Sequence, residues 1–192
     1  MNRDQLLDNY HRKLERIENS RTYSTNAKRV MAAKAYKETQ GALEQIRLSE
    51  IKAIEDRREQ LHRKMFGREN AADAQTVIAR RDANDRAGQI DNPRIAAEQM
   101  QTALRQGDRT MAQAIAERAA DWGWSDVLDS YAQANPSFRS HVQEYNELPD
   151  TDAVSNWGIQ HSFLHVVSAP GILHDANSGT IEALASQDLE AA

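Results

Sequence analysis

From Thr25 to Phe66 the chain runs 42 residues without a proline, and its only internal glycine is Gly41. Ser24 or Thr25 can cap a helix at the start of this stretch, and Gly67 supplies a stop at its end. The stretch is therefore predicted as one continuous helix, about 63 Å long at 1.5 Å per residue. A rod of that length cannot be buried within a 192-residue globule, so part of it is expected to project or to meet another chain. Its apolar stripe is imperfect. Ile51, Ile54, Leu61 and Met65 keep three- and four-residue spacing, but Arg58 intervenes, and Val30, Met31, Ala35, Leu43 and Ile46 form a looser face. The pattern suits an antiparallel hairpin, with residues 3–18 folding back on 25–40, or a short intermolecular coiled coil.

The residues on either side read as shorter helices. Leu7, Tyr10, Leu14 and Ile17 make one narrow apolar stripe over 3–18, which the polar run 20–24 interrupts. After the rod, 68–72 is polar and reads as a hinge, and a helix over 73–89 is expected with Asp73 as its cap. Asn92-Pro93 then starts a helix that Gly107 ends, Asp108 caps another that Gly123 ends, and Ser125 caps a third. Asn135-Pro136 starts a last one, closed by Pro149. Ala103, Leu104, Gly107, Asp108, Ala112, Ala116 and Ala119 resemble one helical hairpin of the tetratricopeptide type. A solenoid needs several such units, so this one reads as an ordinary α-hairpin. Trp122, Trp124, Val127, Leu128, Tyr131, Phe138, Val142, Tyr145 and Leu148 are the expected core of the small bundle.

The fold class expected is all-α: an N-terminal long-helix hairpin or coiled-coil arm, a small bundle of short helices, and an irregular C-terminal tail. The corresponding segments are a helical arm over 1–67, a compact bundle over 68–149 and an acidic, partly apolar docking tail over 150–192. Eight glycines and four prolines suit long helices better than a loop-rich β fold.

Charge divides the chain. Residues 1–70 hold 16 Lys and Arg against 11 Asp and Glu, whereas no Lys or Arg follows Arg139. The net charge of −5 is thus a mildly basic arm followed by an acidic body and tail. The arm is either a hydrated helix face or a surface for a partner. Its cations are interleaved with acids, as in Glu55-Asp56-Arg57-Arg58-Glu59, so nucleic acid is expected to bind weakly and without sequence preference. The tail carries Trp157, Ile159, Phe163, Leu164, Val166, Val167, Ile172 and Leu173, too apolar for simple disorder. If 157–168 is helical, Ile159, Phe163, Val166 and Val167 share a face able to anchor in a groove, and docking on a partner is preferred to packing on its own chain.

No recognisable reaction centre emerges. With no cysteine, there is neither a disulfide nor a thiolate metal site nor a cysteine nucleophile. Gly-rich phosphate loops, nucleotide fingerprints and nucleophile elbows are missing. His161 and His165 are four apart, the spacing of a helical metal chelate, but the Glu that follows the first His in metalloproteases is Ser162 here. On a helix both imidazoles lie opposite Ile159 and Phe163 and are expected to be solvated, so neither a metal nor a cofactor is assigned. Arg80, Arg81, Asp82, Asp85 and Arg86 read as ion pairs on a wet helix face. The candidate interaction residues are Leu43, Ile46, Ile54, Leu61, Trp157, Phe163 and Val167.

Several phrases together resemble a known group. They are Ser24 to Tyr36 (STNAKRVMAAKAY), Lys64-Met-Phe-Gly67, Val77 to Ala83 (VIARRDA), Gly107-Asp108, and Gly123 to Val127 (GWSDV). In that order they resemble small helical proteins encoded by actinobacterial phages and prophages near their head and tail structural genes. The resemblance covers roughly residues 20–148, and its motifs are packing and turn motifs. It implies a non-enzymatic, scaffold-like or head-associated assembly role, with self-association and contacts to capsid, portal or other virion proteins. The alternative is a nucleic-acid-associated regulator that uses the basic arm. No membrane span or apolar signal core is present in the sequence, so the expected location is the host cytoplasm or the virion.

Overall fold

In the computed structural model, which describes residues 2–67 and 74–188, Asn2 opens the first helix with a capping box. Its side chain accepts from the Gln5 amide, and the Gln5 side chain accepts from the Asn2 amide. This helix, α1 (Arg3–Asn19), is followed by α2 (Thr25–Phe66), one unbroken helix of 42 residues. Ser24 receives the Ala27 amide at its start, and Gly67 ends it with φ +71°. Five helices follow: α3 (Ala74–Gly88), α4 (Pro93–Gln106), α5 (Arg109–Trp122), α6 (Ser125–Ala134) and α7 (Ser137–Glu147). The chain ends in α8 (Asn156–Leu164), a single 3-10 turn (Gly171–Leu173) and α9 (Ser178–Ala185). Among the described residues there is no strand. The hinge expected over 68–72 and the Asp73 cap lie outside the described residues.

The contacts divide the chain into two units. Unit 1 comprises Met1–Ala53 and Asp150–Ala192; unit 2 is Ile54–Pro149. The division therefore falls inside α2 rather than at Gly67, and the tail belongs with the N-terminal helices. The reason is visible in α2. Val30, Ala32, Ala33, Ala35 and Leu43 are buried in unit 1, whereas Leu61, Met65 and Phe66 are buried in unit 2. One helix thus supplies core residues to both units.

In unit 1, Leu6 and Tyr10 of α1 share a core with Ala35, Leu43 and Val167, and the α1–α2 pairing is reinforced by Lys13 Nζ to Glu38 Oε2 at 2.8 Å. A second core joins Val30, Ala32 and Ala33 to Leu173, Ile181 and Leu184. The tail thus packs on its own unit, contrary to the expected preference for a partner. Charge accompanies this packing. Arg29 pairs with Asp175 at 2.9 Å and Lys37 with Glu182 at 3.5 Å. Two cations of the basic arm are thus paired with carboxylates of the acidic tail.

Unit 2 follows the punctuation of its sequence. Asn92 and Asp108 cap α4 and α5 through side-chain acceptors, and Gly107 and Gly123 adopt left-handed conformations at their ends. Ala103, Ala112, Ala116 and Ala119 are buried where α4 and α5 pack closely. Tyr131 and Phe138 meet edge to face, with centroids 5.1 Å apart, and the Tyr131 hydroxyl donates to the Met65 carbonyl at 3.1 Å. Trp122, expected in this core, is half exposed and lies beneath the Arg118 guanidinium at 4.3 Å. Arg80, expected on a wet face, instead pairs with Glu117 at 2.9 Å, both side chains largely buried.

Candidate functional site

The segment from Asp150 to Ser168 concentrates the chemistry of unit 1. Ser155 caps α8: its hydroxyl accepts from the Gly158 amide at 2.8 Å and donates to the Asp150 carbonyl at 2.7 Å. The helix has only nine residues and two unlike faces. Gly158, His161 and, at the C-cap, His165 turn inward. Ile159, Phe163 and Leu164 turn outward, followed by Val166 after the helix end. Three- and four-residue spacing places His161 and His165 on one side, as expected from sequence, but which side is buried is the reverse. The imidazoles are 7% and 8% exposed, whereas Phe163 is 74% and Val166 is 64% exposed.

A polar face can be the buried one because it finds partners. Glu50 of α2 supplies them. Its Oε2 lies 2.7 Å from His161 Nε2 and 3.2 Å from His165 Nε2. The second contact lacks hydrogen-bond geometry, so His165 Nε2 is buried without a hydrogen-bond partner, as is His161 Nδ1. The other nitrogen of His165, Nδ1, lies 2.8 Å from the His161 carbonyl. Trp157 stacks on the His161 ring at 4.2 Å with 15° between planes, and the two imidazole centroids are 4.5 Å apart. Glu50, His161 and His165 each present one ligand-type atom, all within 4.8 Å of one another. Nearby, the Arg47 guanidinium hydrogen-bonds Glu44 and holds its carboxyl below the usual carboxylate range, with a smaller contribution from His165.

No family model matches the chain, and no curated protein or solved structure matches it.

The seven interaction candidates are dispersed. Leu43 and Val167 sit in the core that also holds Tyr10, with Ile46 packed against it. Leu61 is fully buried in unit 2, and Ile54 is partly buried there. Trp157 is partly buried over His161. Phe163 is the one among the seven that is widely exposed. The outward set is instead Val154, Ile159, Phe163, Leu164 and Val166, because α8 ends at Leu164 and the chain then directs Val167 inward. Glu50 was missed altogether. In a helix rich in acids nothing local distinguishes it; only the HxxxH spacing signals that a third group is wanted.

Proposed function

We propose that this chain is a non-enzymatic assembly protein that acts by self-association through the outer face of α8, in the structural or assembly machinery of a phage particle. The observation that carries the reading is the exposure of Ile159, Phe163, Leu164 and Val166 within eight consecutive positions, with Val154 close before them. Contiguous exposed apolar surface of this kind marks interaction sites. A second copy is the occupant that fits best. From Ala153 to Leu173 the sequence holds no Asp, Glu, Lys or Arg, so the patch can meet its own image across a two-fold axis without opposing like charges. The phage setting comes from the resemblance carried by the motifs between Ser24 and Val127. The Arg29–Asp175 and Lys37–Glu182 pairs weigh against a free cationic face for nucleic acid on α2.

Sedimentation equilibrium of the full chain, with and without Phe163→Asp and Val166→Asp together, tests the reading. Concentration-dependent oligomers are expected in the parent chain, with monomers and unchanged helix content in the variant. A parent chain that stays monomeric at high concentration overturns it. So does an oligomer indifferent to both substitutions.

A further inference from the structure

We propose that Glu50, His161 and His165 form a binding site for a divalent transition-metal ion of the zinc class, tying α8 to α2 within unit 1. The argument begins with the proton on His165. Its Nδ1 faces the His161 carbonyl at 2.8 Å, and a carbonyl only accepts, so Nδ1 carries hydrogen. In the neutral ring Nε2 is then a bare lone pair. That lone pair is buried, and another acceptor, Glu50 Oε2, lies 3.2 Å from it. His161 Nε2 converges on the same oxygen at 2.7 Å. Electron-rich atoms brought together in this way need an electron-poor centre among them. A single proton joins one ring to the carboxylate; an ion joins both.

The donor set matches the ion. Two imidazoles and one carboxylate, with a position left for water, is a recurrent zinc arrangement, whereas calcium and magnesium favour oxygen alone. Two of the three ligand separations lie near the required size, and all three ligand atoms fall within 4.8 Å of one another. Tetrahedral bonds of about 2.0–2.1 Å place ligand atoms roughly 3.3 Å apart. The His165–Glu50 separation of 3.2 Å is already of that size. The His161–Glu50 separation of 2.7 Å must widen by about half an ångström, which a long carboxylate arm permits. The His165 Nδ1–carbonyl bond is the outer contact that orients a metal-bound imidazole through its other nitrogen. Trp157, stacked on His161, restricts rotation of that ring.

The inference is independent of self-association through the opposite face, and its readout is metal itself. The full chain, stripped with a chelator, is titrated with Zn2+ by calorimetry and with Co2+ by visible absorption. Saturable binding at one ion per chain is expected, with a tetrahedral-type Co2+ spectrum and a thermal midpoint that rises with free Zn2+. Glu50→Gln and His165→Ala should each weaken binding at least tenfold and abolish the thermal shift. Glu50 is exposed on a long helix and glutamine retains a side-chain oxygen beside His161, so Glu50→Gln with helix content checked by circular dichroism distinguishes a lost ligand from a lost structure. Absence of saturable Zn2+ binding in the parent chain overturns the proposal and leaves a hydrogen bond between His161 and Glu50. Binding of equal strength in parent and both variants also overturns it, by assigning the metal to other histidines.

Discussion

A Cβ atom placed on Gly158 would lie 2.0 Å from the carbonyl oxygen of Asp152. The same carbonyl receives the Ser155 amide at 3.0 Å, so the turn that leads into α8 closes directly onto the helix it starts. Gly158→Ala cannot be accommodated by a side-chain movement, since the obstacle is backbone. It is expected to displace the 152–155 turn, destabilise the protein by about 1–3 kcal/mol and speed amide exchange across α8. Gly41 is the contrasting case: it sits mid-helix in α2 with open space where a Cβ would go. Gly41→Ala should stabilise by about 0.5–1 kcal/mol by removing backbone freedom from the unfolded chain. Urea denaturation of the two variants, read by helical circular dichroism, should therefore move the midpoint in opposite directions.

The contrast between these two glycines shows what was legible in the sequence. Local signals carried through: the proline-free run gave α2, Gly107 and Gly123 ended α4 and α5, and Asp108 capped α5. Periodicity also separated the two sides of α8. It could not say which side is buried, because that depends on a carboxylate 111 positions away from His161 and on a close approach between Gly158 and the backbone of the turn before the helix. Trp122 illustrates the same limit. Its size suggested core, yet an arginine one helical turn earlier covers its face at the surface. The charge split was read correctly as a pattern. Its resolution, basic α2 against the acidic tail, required the fold that brings Arg29 to Asp175.

Tyr10 gives the alkaline limb of stability a specific origin. Its ring is buried between α1 and α2, and its hydroxyl lies 3.4 Å from the Ser168 carbonyl. Burial, with smaller contributions from Tyr36 and Glu18, pushes its pKa up to about 12 from the usual 10. The folded state then keeps a proton that the unfolded state loses first. The Tyr10 contribution is fully present below about pH 10 and is lost as pH rises through about 12. Phenolate absorbance should show a late-titrating component that Tyr10→Phe removes, and the steep loss of stability between those two values should flatten in the same variant.

Two isoleucines distinguish core from docking surface. Ile115 of α5 is fully buried where α5 meets α3, α4 and α6. Ile115→Ala removes that contact and leaves a cavity, with an expected cost of about 2–4 kcal/mol. Ile159 on the outer face of α8 is 45% exposed. Ile159→Ala should change monomer stability by less than about 0.5 kcal/mol while weakening self-association. Urea midpoints report the first effect, and sedimentation the second. A large stability loss from Ile159→Ala would mean that the α8 face is structural within its own chain.

The Arg80–Glu117 pair predicts a non-additive response. The two side chains are 16% and 15% exposed, the ion pair is 2.9 Å, and Arg80 also donates to Gln113 at 3.3 Å. Arg80 Nε is buried without a hydrogen-bond partner, so this guanidinium is incompletely satisfied even with Glu117 in place. Glu117→Gln leaves a largely buried cation without its counter-charge, and a loss of about 2–3 kcal/mol is expected, below the figure for a fully buried pair because both groups retain some contact with water. Replacing both partners by Leu removes the desolvation penalty together with the attraction, so the double variant should lie within about 1 kcal/mol of the parent chain. Equilibrium denaturation of the parent, both single variants and the double variant completes the thermodynamic cycle. Additive losses would show that the two charges contribute separately through their neighbours, whereas recovery in the double variant assigns the cost to the isolated charge.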